Sequence, residues 1–130
     1  MSLVTIHREK NGSVTINSRN QTVPCDLSPE DGGQGQAMSP TEILLASLGA
    51  CITMVVGNYC DRNGYIQGAV EVSLTYELKA SPSRIASIFI DLEIPADVPA
   101  EQRKIICKLA AACPIHQTLA TPPQIDIEIL

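Results

Sequence analysis

The chain carries five cysteines, Cys25, Cys51, Cys60, Cys107 and Cys113. A thiol can be a nucleophile, a redox centre or a metal ligand, and its surroundings decide which. No two of them form a C-x-x-C pair, so neither a zinc ribbon nor a thioredoxin-type motif is present. The odd count also fits poorly with a closed disulfide framework. The amino terminus, "MSLVTIHREKNG", reaches charges before any apolar run of signal-peptide length. The expectation is therefore a cytoplasmic address, where thiols stay reduced and a disulfide is catalytic or transient.

Two of the five stand in informative contexts. Cys113, in "AACPIH", directly precedes Pro114 and is placed to be the N-cap of a short helix. Unpaired backbone N–H groups and the positive end of the helix dipole favour a thiolate there. Position alone equally fits a small buried residue that ends a helix. Cys51, in "SPTEILLASLGAC", falls deep in an apolar helical segment, where burial should raise its pKa and leave it inert, a structural thiol if taken alone. Cys25, Cys60 and Cys107 have no local activating feature and read as structural. Cys60 follows Cys51 by nine residues, about 180° around a helix at ~100° per residue, so the two cannot share a site. His116, three residues after Cys113, invites a metal reading, but two ligands fall short of the four a structural zinc site needs. A histidine in the first turn of a helix is the plainer account, and no metal or bound cofactor is expected.

The elements that must position these residues are legible. Ser39, Pro40 and Glu42 form the pattern of a capping box with Pro at the first helical position. The helix they open runs uncharged from Ile43 to Cys60, eighteen residues, and ends near "DRNG" with Gly64 as the left-handed cap. Ser47, Gly49, Thr53, Gly57 and Asn58 dilute the run and no positive flank follows, so it reads as a buried helix and not a membrane span. An all-round apolar helix must be covered all round, which one small sheet cannot do, and a second copy of the chain is the simplest cover. Alternating segments around "LVTIH", "SVTINS" and "QTVPCDL" precede it, followed by the Gly-rich loop "SPEDGGQGQAM". "AVEVSLTYEL" and "RIASIFIDLEI" follow as half-buried strands paired through "KASPS". "PAEQRKIICKLAAAC" is helical until Pro114 breaks it, a short helix runs from Pro114 to about Leu119, and "QIDIEIL" closes as a strand. The order βββ-α-ββ-α-β predicts an α+β fold, one domain over residues 1–130, with helices packed on curved antiparallel sheets.

Composition excludes several function classes. Fourteen acidic residues against nine basic give a net charge of −5, with no Lys/Arg cluster longer than "HREK" or "QRK", which argues against nucleic-acid binding. Three Tyr, one Phe and no Trp leave few platforms for stacking bases. An apolar content of 45% suffices for one sizeable core.

"SPTEILLASLGAC" followed about sixty positions later by "AACPIHQTL" closely resembles the OsmC/Ohr superfamily, the osmotically inducible and organic-hydroperoxide-resistance stress proteins. The resemblance covers nearly the whole chain, Gly-rich loop and strand order included. It implies an intertwined homodimer with two long central helices wrapped by sheets, and reduction of organic hydroperoxides at two cysteines. Carried over, Cys51 matches the peroxidatic cysteine and Cys113 the resolving one. An external dithiol, a lipoyl dithiol in the family's preferred form, would return both to thiols. In the hydroperoxide-resistance branch an Arg held by a Glu ionises the peroxidatic thiol. The family Glu directly follows the helix-opening Pro, where this chain has Thr41, and the acid stands one place later at Glu42. Arg8, in "HREKNG", is the candidate for the Arg, and Arg19 is the runner-up. His116 replaces the small polar residue that often follows the family's Cys-Pro. These departures point to a general OsmC-like branch. The expected function is a cysteine peroxidase using Cys51, Cys113, Glu42 and Arg8. The alternative is a non-enzymatic dimeric protein of the same fold that binds a small apolar ligand or senses redox state.

Overall fold

The computed structural model describes residues 2–130. The chain divides into two compact units, one running to Ala46 and the other Ser47–Leu130. The first holds a three-stranded antiparallel sheet, β1 (Val4–Arg8), β2 (Val14–Ser18) and β3 (Gln21–Cys25), in the order β1-β2-β3. Ile6, Ile16 and Val23 fall opposite one another across it. Pro24 lacks a donor for a strand ladder and stands on β3, an edge of that sheet, where such a gap is tolerated. Arg19, at positive φ (54°), turns the chain between β2 and β3.

The Gly-rich loop is built around one carboxylate. Asp26 is 6% exposed, and its oxygens accept the backbone N–H groups of Leu27 (2.9 Å), Gln34 (3.1 Å) and Gln36 (3.4 Å). Those bonds curl the loop so closely that a Cβ on Gly33 would lie 2.0 Å from the Leu27 carbonyl oxygen. A 3-10 turn, Pro29–Asp31, completes the loop. The helix α1 (Pro40–Arg62) then opens on the capping box: Ser39 N–H donates to Glu42 Oε1 (3.0 Å) and Glu42 N–H to Ser39 Oγ (3.2 Å).

In the second unit, α1 supplies a buried stripe of Leu48, Ile52, Val56 and Cys60 at successive four-residue steps. Against it pack Val72 and Leu74 of β4 (Glu71–Lys79) and Ile88, Ile90 and Leu92 of β5 (Arg84–Glu93), the alternate residues of an antiparallel pair. Gly49 lets helix and sheet approach closely: a Cβ there would come within 2.7 Å of Leu74 Cδ1. After a 3-10 turn (Ala100–Gln102), α2 (Arg103–Ala111) buries Ile106, and α3 (Pro114–Ala120) follows. Ile106 and Cys113 join the same core, and Tyr59 Oη donates to Gln102 Oε1, tying α1 to the start of α2.

The α+β architecture and its order of elements agree with the sequence reading, with one correction. The expected closing strand does not form: beyond α3 the chain carries no regular element, and Ile125, Ile127 and Ile129 are 77%, 91% and 95% exposed. A strand needs a neighbouring edge to satisfy its N–H and C=O groups, and alternation alone supplies none. On the helix α1, Met54 is 67% exposed, so the single chain leaves one side of it open, as the sequence reading expects of a helix that one sheet cannot cover.

The Asp26 loop generates a test. Gly33→Ala should lower stability by about 1–3 kcal/mol, because the clash is with backbone and cannot be relieved by a side-chain rotation. Denaturant unfolding checks it, and an unchanged midpoint would show that the loop is not held as described.

Candidate active site

Two thiols meet inside the second unit. Cys51 lies midway along α1, one residue before the core residue Ile52, and is half-buried. Cys113 is 1% exposed and occupies the N-cap of α3 with φ −62° and ψ 146°. The chain must stop at this point for a local reason. Pro114 has no N–H to continue α2 and its fixed φ suits the first position of a new helix. The Cys113 Sγ accepts the His116 backbone N–H at 3.4 Å, as a capping side chain does. Cys51 packs against the cluster that holds Cys113 and lies close enough to influence its ionisation. The two cysteines singled out in the sequence are thus direct neighbours, each on a helix that fixes it.

The electrostatic balance at Cys113 differs from the sequence expectation. The N-cap geometry is formed, and the N–H groups of His116 and Ile115 favour the thiolate as anticipated. Burial outweighs them: desolvation is the largest influence and, with Cys51 acting in the same direction, holds the Cys113 pKa above its ordinary value of 9.0. Burial likewise raises Cys60, with Asp61 and Asp97 adding to it, and Cys25, with Asp26 adding to it. Cys107 departs from its structural reading. It is exposed, and it lines an open cavity of about 200 Å³ together with Ile52, Ile90, Leu92, Ala110, Ala111 and His116. Its position on α2 one place beyond the buried Ile106 was the available signal.

His116 is the residue sequence reasoning left unassigned. Its Nδ1 is buried and has no hydrogen-bond partner among the described residues, a state that costs about 1–3 kcal/mol relative to a paired group. Among the described residues no group of three or more His, Cys, Asp or Glu is arranged to hold a metal. Glu42 stands in the capping box of α1. Arg8 ends β1, is exposed, and points its guanidinium toward Gly12, whose Cβ position would be 3.7 Å from Nη2. Arg19 sits in the β2–β3 turn and lines a surface cavity with Ser2, Leu3, Thr5, Asn17 and Ser18. Both arginines and Glu42 belong to the first unit, and Cys51 and Cys113 to the second.

A long helix packed on antiparallel strands, with a thiol from its middle close to a thiol at a helix cap, defines an α+β protein with a paired-cysteine site. More particularly, the chain belongs to the OsmC family: the family model described as "OsmC-like protein" matches residues 33–128. Solved structures share the fold. A Psychrobacter arcticus 273-4 protein named for osmotic stress induction and detoxification response is 20% identical, with a TM-score of 0.82 over 91% of this chain and 88% of its own. The OsmC-like protein of Mycoplasma pneumoniae is 19% identical, with a TM-score of 0.80 over 94% and 89%. The organic hydroperoxide resistance protein OsmC of Legionella pneumophila is 19% identical, with a TM-score of 0.68 over 93% and 90%. No curated protein matches the sequence.

The buried thiols set a pH dependence. Cys25, Cys60 and Cys113 all have folded pKa values raised above the ordinary 9.0. A raised pKa means that the native state holds its proton longer than the unfolded chain. The stabilisation is therefore complete below the unfolded value and is lost as pH rises through the folded ones. The denaturant midpoint should be steady around neutrality and fall from about pH 9 upward. A midpoint that holds constant through that range would contradict the burial of these thiols.

Proposed function

We propose that this protein is a cytoplasmic thiol peroxidase of OsmC type, reducing organic hydroperoxides by cycling Cys51 and Cys113 between dithiol and disulfide. The observation that carries the reading is the placement of the two thiols side by side in one packed cluster, Cys51 half-buried and Cys113 buried behind it. Disulfide formation requires sulfurs that can close to bonding distance without moving backbone. The naming of relatives for hydroperoxide resistance and detoxification supports the same class of chemistry.

In this reading the half-buried Cys51 meets the peroxide and Cys113 waits behind it. The Cys51 thiolate attacks the distal peroxide oxygen, the O–O bond breaks, and an alcohol leaves after taking a proton. Sulfur is oxidised to a sulfenic acid. Cys113 then attacks that sulfur, the S–S bond forms, the S–O bond breaks and water departs. An external dithiol, a lipoyl group being the family's form, restores the pair by exchange and is itself oxidised to a disulfide. A guanidinium next to Cys51 would favour its thiolate and hydrogen-bond the peroxide oxygens. Arg8 is our candidate for that cation and Glu42 for the carboxylate that orients it.

The functional unit we propose is a homodimer. Met54 on α1 and the tail residues Ile125, Ile127 and Ile129 leave apolar surface open in the single chain, and a second copy is the simplest cover. A second reading has its own support in the exposed position of Arg8 and in the cavity beside His116: a ligand-binding protein of the same fold, whose mark would be thermal stabilisation by small apolar molecules without turnover.

The test is dithiol-driven consumption of an organic hydroperoxide by the wild type and by Cys51→Ser and Arg8→Met. Loss of turnover in Cys51→Ser, and a shift to higher pH of Cys51 alkylation in Arg8→Met, are the expected results. Equal turnover in wild type and Cys51→Ser would remove the peroxidase assignment. Equal alkylation profiles would remove Arg8 alone.

A further inference from the structure

The disulfide-forming step sets a problem that the two cysteines do not solve between them. Cys113 must lose its proton to become the attacking thiolate, yet it is 1% exposed and its Sγ is surrounded by the core of the second unit. Water does not reach it freely. Its Sγ accepts the backbone N–H of His116, and the Cys51 thiol and the N–H of Ile115 lie close to it; none of these accepts a proton as a base.

His116 stands at the right place to do so. Three positions after the cap residue, it lies on the same face of the first turn of α3 as Cys113. One ring nitrogen, Nδ1, is buried and unpartnered among the described residues. The residue also lines the open cavity, so its ring joins the dry interior to a solvent-reaching space. The walls of that cavity come from α1 (Ile52), β5 (Ile90, Leu92) and α2 (Cys107, Ala110, Ala111), and Cys107 is the only other titratable group among them. No carboxylate or cation of those lining residues competes for the ring.

We propose that His116 accepts the proton of the Cys113 thiol in the step that closes the Cys51–Cys113 disulfide, an inference that rests on the peroxidase reading above. A bridging water or rotation of the ring connects Nδ1 to the sulfur. As the Cys113 sulfur attacks the Cys51 sulfenic acid, the S–S bond forms and the S–O bond breaks. The hydroxide that leaves takes the proton from the imidazolium and departs as water. Nothing beyond the hydroperoxide already consumed at Cys51 is needed as oxidant. The ring nitrogen left without a partner in the resting protein is thereby given a function.

The experiment separates the two half-reactions in the full chain by rapid mixing with one equivalent of an organic hydroperoxide. Sulfenic acid on Cys51 is trapped with a carbon nucleophile and the disulfide is followed by mass spectrometry under non-reducing conditions. In His116→Gln and His116→Ala, sulfenic acid should accumulate while disulfide formation slows by about 10²-fold near neutral pH, the lower end of a general-base contribution. The pH profile of disulfide closure in the wild type should carry an inflection that both variants lack. Added imidazole, entering by the cavity, should partly restore His116→Ala. Equal closure rates in all three proteins, or slower variants that keep the wild-type pH profile and ignore imidazole, would overturn the role of His116. Absence of any oxidised Cys51 in the wild type would overturn the peroxidase reading itself, and this proposal with it.

Discussion

The placement of Cys51 beside Cys113 is the constraint on which the site depends. It exists because a helix is interrupted at one particular residue. Pro114 cannot continue α2, so Cys113 takes the extended N-cap conformation and turns its sulfur inward. The core then locks the arrangement. Ile106 on α2, and Leu48, Ile52 and Val56 on α1, are buried in the same cluster as Cys113, so neither helix can slide without opening cavities in a close-packed interior. Gly49 contributes from the other side by letting α1 sit close to Leu74 on β4. Moving Pro114 by one residue would rotate the cap and its thiol away from α1, with no change in composition.

The same burial that positions Cys113 works against its ionisation. An N-cap favours thiolate through a few oriented N–H groups, whereas removal from water penalises the charge as a whole, and here the second effect is larger. Cys113 therefore keeps a protonated thiol at rest. In the proposed cycle a thiolate held permanently at Cys113 would repel one forming at Cys51. In that proposed cycle the proton is taken at the moment of reaction, and the unpartnered buried Nδ1 of His116 is our candidate to take it.

Much of this was legible in the sequence because it rests on local rules. The capping box at Ser39 and Glu42, the helix break at Pro114 and the alternation along β4 and β5 each follow from a few adjacent residues. The family resemblance rested on the two cysteine contexts, and the fold bears it out. What could not be read was set by three-dimensional neighbours. The sign of the Cys113 pKa shift depends on how deeply the N-cap is buried. The exposure of Cys107 depends on which face α2 turns inward. The closing strand failed because alternation specifies a strand's two faces but not the edge it pairs with, and Ile125, Ile127 and Ile129 find none within the single chain. The orphaned His116 nitrogen has no sequence signature at all.

The central claim is that Cys51 and Cys113 form one redox couple. The most direct measurement is peptide mapping of the protein after mild treatment with an organic hydroperoxide, with the thiols that remain free blocked after that treatment and before digestion. The account predicts a single intramolecular disulfide joining the peptides of Cys51 and Cys113, with Cys25, Cys60 and Cys107 recovered as blocked thiols. Recovery of a Cys51–Cys60 or Cys107–Cys113 linkage, or of Cys51 and Cys113 both unoxidised, would contradict it.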